Sequence, residues 1–273
     1  MFDATYIINL DRSPDRWAHA QRVTSAAGFP NVTRFAGVDG AEVGGVTLST
    51  LQGQGRIARD LSHFDQRVLE GEIGCAVSHA GVLRDIVERG HSSALILEDD
   101  VQLAGDRDTW RSRFAAAYRD LDSDWQLWYL YRCFDVEHRV TRLTPRTVVP
   151  WMPQCAAAYA VTASGARILL NALDPVGNAV DRVYMDVVKS RAIHAFAASP
   201  MLMAPAALPS LIRRKGDRGH WSRGGVNRPP EYWPARFLEG IGENAGPTPA
   251  HRRVWHAIVA RWQRLRGVAD PIE

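Results

Sequence analysis

The chain has 273 residues, 46% of them hydrophobic and 23% charged, a balance that excludes a disordered or fibrous protein and fits one large domain, alone or with an appended segment. No apolar run approaches the roughly 20 residues that cross a bilayer, and the opening MFDATYIINL lacks the basic stretch of a secretory signal. Three scattered cysteines (Cys75, Cys133 and Cys155) are too few for a disulfide scaffold or a four-ligand zinc site, and the net charge of +3 is too mild and too interspersed to call for nucleic acid.

In chain order, Thr5 to Leu10 is a short apolar run that reads as a buried strand. Ser13-Pro14-Asp15 then supplies an N-cap and a proline at the first helical position, for a helix that runs to Ala27 and stops at Gly28. Val32 to Val38 reads as a second strand, and a Gly-rich stretch to Gly71 as loop with short helical pieces. From Glu72 a helical apolar stripe runs to Gly90, and Ser93 to Leu97 is a third strand that leads straight into Glu98-Asp99-Asp100. Helices are expected over Trp110 to Leu121, Ser164 to Ala172 and Asp181 to Arg191, with strands over Trp125 to Tyr131 and Ala156 to Val161. This alternation predicts an α/β fold with a mainly parallel central sheet flanked by helices, and a site at the carboxyl ends of its strands. Residues 1–210 form the expected catalytic domain, 211–249 a basic, Pro/Gly-rich arm, and 250–273 an amphipathic helix and tail.

Three adjacent carboxylates at a strand end repel one another and are costly to hold without a cation. In an extended chain Glu98 and Asp100 share one side and Asp99 the other, so the pair can hold a hard divalent ion, Mn2+ or Mg2+. The plainer reading is a solvated acidic turn. All but two of the 33 basic residues are arginine, the exceptions being Lys189 and Lys215. That bias reflects either a genome rich in G and C or phosphate recognition by the guanidinium fork.

The ordered set of blocks from Tyr6 to Arg16, Arg34 to Gly40, Glu72 to His79, Glu98 to Asp100 and Ala158 to Leu170, followed by Val180-Asp181, resembles glycosyltransferase family 25. That resemblance implies a GT-A (nucleotide-diphospho-sugar transferase) fold, a UDP-sugar donor with galactose foremost, a manganese ion, and an inverting transfer to a hydroxyl of a glycan or glycolipid. It places Glu98 and Asp100 as metal ligands, and Asn9, Leu10, Arg12, Arg16, Asp39, Ser78, His79 and Asp99 on the nucleotide-sugar side. Such a transfer needs a base to take the acceptor proton. Asp181 is the first candidate and Asp186 the second, although five residues of helix set them about 140° apart. Asp181 also reads as a helix N-cap.

His79 is either buried support or a donor contact, Cys75 reads as buried filler, and His220 is a late metal or phosphate contact or an exposed loop histidine. Trp125, Trp128, Tyr129 and Tyr131 supply core or a sugar-stacking platform. Val254, Trp255, Ile258, Val259, Trp262 and Leu265 mark one side of the last helix, flanked by arginines. That helix either packs on the domain or lies on an anionic membrane. A cytoplasmic protein from a reducing compartment, peripheral on the inner face of the membrane, is the expected setting. A metal-dependent phosphohydrolase or nucleotidyltransferase, and a catalytically silent nucleotide-sugar-binding protein, are the alternatives.

Overall fold

The computed structural model of the chain describes residues 2–40, 46–64, 69–133, 135, 140–208 and 211. They belong to the first of two units, Met1–Arg223; the second, Gly224–Glu273, lies outside the described residues, as do His220, the arm beyond Leu211 and the predicted last helix.

The first strand, β1 (Ala4–Asn9), passes through a short turn into α1 (Pro14–Ala27). Pro14 opens this helix as predicted, and Gly28 closes it at φ 74°, a left-handed conformation that favours glycine. Then follow β2 (Val32–Ala36), α2 (Val46–Gly53) and α3 (Leu69–Glu88). The acidic run begins at the last residue of β3 (Ser93–Glu98) and turns into β4 (Val101–Leu103). Next come α4 (Arg107–Arg119), β5 (Leu127–Tyr129), β6 (Thr141–Arg142) and β7 (Thr147–Val149). The described part ends with β8 (Ala158–Thr162), α5 (Ala163–Leu173), α6 (Val180–Lys189), β9 (Ala195–Ala198) and β10 (Met203–Pro205).

Eight strands form one sheet in the order β2-β1-β3-β8-β5-β9-β7-β6. Within it β8 and β7 run against the other six, so the sheet is mainly parallel, as the alternation of elements predicted. β3 shows why a strand of continuous apolar residues suits the middle of such a sheet. Ala94 and Ile96 pack on one face with α3, α5 and α6, while Leu95 and Leu97 pack on the other with α1 and α4. Both faces are therefore covered, and the strand ends are left to carry the chemistry. A separate pair, β4 with β10, joins the chain after the acidic run to the last described strand.

Sequence reasoning left all three cysteines reduced. The structure instead joins Cys133 to Cys155 and leaves Cys75 free. The two half-cystines face each other because Cys133 and Gln154 form an antiparallel bridge between the segments that follow β5 and precede β8. Disulfides persist mainly in oxidising compartments, so this bond departs from the reduced state expected of all three cysteines.

Candidate active site

Parallel pairing of β1 with β3 sets Ile8 against Glu98, so Asn9, the last residue of β1, meets Asp99, the first residue past β3. The Asn9 amide donates to Asp99 Oδ2 at 2.7 Å and to the Ser13 carbonyl at 3.1 Å, while its own carbonyl accepts from Arg34 at 2.7 Å. Asn9 is thus buried as a clamp between the first turn of α1 and the acidic run. Arg16, in the first turn of α1, donates to Asp99 Oδ1 at 2.7 Å and to Asp100 Oδ2 at 2.8 Å. The expected alternation of Glu98, Asp99 and Asp100 does not extend past the strand. β3 stops at Glu98 and the chain turns at Asp99-Asp100, which lets one guanidinium reach both aspartates.

Glu98 goes the other way, toward α3. Its Oε1 lies 3.4 Å from His79 Nε2 and 3.9 Å from Cys75 Sγ. His79 is fully buried, stacked on Tyr159, with Nδ1 2.9 Å from the Tyr159 hydroxyl, which in turn lies 3.0 Å from the Tyr184 hydroxyl. Cys75 is half-buried and packs on the hydrophobic core as expected of filler, while its Sγ also faces the Glu98 carboxylate.

Asp181 stands in the first turn of α6, whose N-cap is Ala179, and its carboxylate accepts the Ala156 amide at 2.9 Å. It does not cap its own helix. Asp186 is exposed on the same helix, as the 140° offset demands, and no contact among the described residues joins its carboxylate to this cluster.

Burial raises Asp100 to about 6, with Glu98 adding to the rise and Arg16 opposing it. Asp99 is also raised, first by burial, against the pull of Asn9 and Arg16. Asp181 is raised by burial, with the Ala156 amide opposing and Glu98 reinforcing. The Tyr131 hydroxyl, half-buried just past β5, is pushed up to about 12 by burial and then by Asp181, Asp100 and Glu98. Three carboxylates and a phenol therefore share one negative field at the carboxyl end of the sheet.

Other predicted residues frame the site. Arg12 pairs with Asp39 through two of its guanidinium nitrogens, Nε and Nη2, tying the loop after β1 to the loop after β2. Leu10 is half-buried and lies against Gly37. Ser78 is buried, donating to the Gly74 carbonyl at 2.6 Å and accepting the Val38 amide at 2.8 Å. Its hydroxyl fastens α3 to the loop after β2. Of the strand aromatics, Trp128 and Tyr129 are core and Tyr131 faces the carboxylates. Sequence reasoning did not single out Arg34, Cys75 or Tyr159 as site residues, and offered Tyr131 only as core or part of a sugar-stacking platform. The signal for Arg34 was available: it pairs with Ile7 on the strand beside Asn9.

The family described as glycosyltransferase family 25 (LPS biosynthesis protein) matches residues 2–184, about two thirds of the chain. The chain belongs to glycosyltransferase family 25. Among family 25 relatives, procollagen galactosyltransferase 2 of Mus musculus is 26% identical over 229 residues, covering 75% of this chain and 35% of that protein. A probable inactive glycosyltransferase 25 family member 3 of Bos taurus is 27% identical over 224 residues, covering 75% and 37%. The chain spans little more than a third of the length of these curated relatives. Among solved structures, a mannose-1-phosphate geranyltransferase from Thermus thermophilus aligns with a TM-score of 0.34 at 9% identity, covering 71% of this chain and 72% of that one. That likeness is too slight to carry an argument.

Proposed function

We propose that the chain is a metal-dependent glycosyltransferase of GT-A type that moves a hexose, galactose foremost, from a UDP-sugar to a hydroxyl of a glycan or glycolipid. The observation that carries this reading is the run Glu98-Asp99-Asp100 at the end of β3, where burial and the neighbouring Glu98 keep Asp100 raised to about 6 although Arg16 is paired with it. Negative charge left uncompensated among hard oxygen donors fits a divalent cation, with Glu98 and Asp100 as the residues that would hold it. When bound, such an ion stabilises charge on a departing diphosphate. Arg16 and Asn9 fix the geometry of the acidic turn, and Arg12 and Arg34 bring further positive charge to its rim.

Asp181 is the proposed base. An acceptor hydroxyl must lose its proton as it attacks, and burial makes this carboxylate a better proton acceptor than a solvated one. Asp186, being exposed, is not part of the proposal. A second reading, a silent nucleotide-sugar binder, is favoured by one observation: some relatives of similar identity are named as inactive.

The deciding experiment measures donor turnover across UDP-, GDP- and CMP-sugars, with manganese or with excess chelator. Manganese-dependent turnover of a UDP-sugar is expected, with a loss of at least about a hundredfold in Asp100→Asn, the scale of a lost electrostatic contact at a reacting centre. Tight UDP-sugar binding without turnover identifies the silent reading, and full activity in chelator removes the metal.

A further inference from the structure

Cys75 and His79 sit four residues apart on α3, hence on the same face of the helix. Their Sγ and Nε2 atoms converge on one oxygen of Glu98, at 3.9 Å and 3.4 Å, and all three donor atoms lie within 4.8 Å of one another. A tetrahedral zinc ion has bonds of about 2.3 Å to sulfur and about 2.0 Å to nitrogen and oxygen, which sets its donors about 3.3–3.6 Å apart. The sulfur–oxygen and nitrogen–oxygen separations therefore need to close by less than about half an ångström to meet such an ion.

The surroundings of the imidazole match what a metal-bound histidine needs. Its other nitrogen, Nδ1, is held at 2.9 Å by the Tyr159 hydroxyl, and the ring is stacked on that tyrosine with its planes 24° apart. A partner at the second nitrogen fixes ring orientation and tautomer in metal-bound histidines. His79 has no exposed surface, whereas Cys75 and Glu98 are half-buried, so the open side of the triad is the side that solvent reaches.

We propose that Cys75, His79 and Glu98 form a binding site for a borderline-soft divalent ion of the zinc or cobalt class, distinct in donor chemistry from the all-oxygen set around Asp100. A thiolate with an imidazole selects such ions over magnesium or manganese. As the metal–sulfur bond forms, Cys75 gives up its thiol proton to the buffer, so one proton is released per ion bound. Glu98 is common to this triad and to the set proposed for the transfer reaction. Binding is read without any sugar donor, so it holds or fails independently of that reaction.

The test titrates the metal-free, full-length, disulfide-intact protein with Co2+. Cys75 is the free cysteine and the other two are joined, so a thiolate-to-cobalt band in the near ultraviolet reports this site. The band is expected to saturate at one equivalent, together with the strong visible absorption of tetrahedral cobalt, and Zn2+ is expected to erase both. Cys75→Ser conserves volume and should lose the near-ultraviolet band, whereas Asp100→Asn should keep it. No such band in the wild-type protein overturns the site. So does a band that survives in Cys75→Ser, and loss of the band in Asp100→Asn overturns its separation from the acidic turn.

Discussion

Asp181 owes its position to a backbone amide rather than to its own helix. Ala156 donates to it from just before β8, so the carboxylate is held against the sheet and beside Glu98. Asp181→Asn is expected to cut transfer at least about a hundredfold while changing UDP affinity less than about twofold, because a base acts in the transition state and not on the nucleotide. Parallel loss of UDP binding in a calorimetric titration would assign Asp181 to the donor instead. Arg16 presents a different balance. Its side chain is 14% exposed and that of Asp99 6%, between the exposed pairs worth under about 1 kcal/mol and the buried pairs that cost about 3–5 kcal/mol to break. Arg16→Gln should therefore cost about 2 kcal/mol in a denaturant titration. If the acidic turn takes a divalent ion, manganese should then raise the midpoint more in the variant than in the parent. Equal shifts in both proteins would separate Arg16 from the metal.

At the scale of elements, α3 decides the shape of the site because it packs closely on the loop after β2. A Cβ built on Gly74 would lie 2.6 Å from the Val38 carbonyl oxygen and 2.9 Å from the Gly40 nitrogen, both backbone atoms that no side-chain rotation can clear. Gly74→Ala should cost about 1–3 kcal/mol of stability, the range for overpacking a filled interior. An unchanged urea midpoint would show that the loop yields. The same helix shows what was legible in the sequence. Its apolar stripe, the glycine stop of α1 and the unbroken apolar run of β3 are local patterns, and each of those elements forms where it was expected. Short β4, β9 and β10 carry no such periodicity; pairing with distant strands makes them. The site divided in the same way. Acidic residues at a strand end could be read directly; the register that joins Asn9 to Asp99 could not, because it comes from the pairing of β1 with β3. The turn of Glu98 toward Cys75 and His79 could not, because it depends on α3 crossing behind β3. Helix geometry alone separated the two aspartates on α6, and the Ala156 amide, which the sequence does not show, holds Asp181.

For the molecule as a whole, the Cys133–Cys155 bond ties together segments 22 residues apart in sequence. Closing a loop of that size in the unfolded chain is worth about 3 kcal/mol in a chain-entropy account. Part of the same junction is also held by the buried Arg132–Asp135 pair, at 2.9 Å, and by the Trp151 and Met152 amides that donate to Asp135. Reduction should therefore lower stability by about 2–3 kcal/mol without unfolding the protein. Urea titrations with and without reductant, repeated on the Cys133→Ser, Cys155→Ser double variant, check this. Coincident curves for oxidised and reduced wild type would mean that the bond does not form. Sequence spacing gave no hint of the pairing, since it depends on β5 and β8 lying side by side.

The pairing of β10 with β4 has a consequence for whatever follows it. Ala206, the residue after β10, donates its amide to the Asp100 carbonyl at 2.6 Å, so the chain leaves the described fold from the acidic turn itself. Arg213, Arg214 and Lys215 come seven to nine residues later, a stretch that spans at most about 30 Å when fully extended.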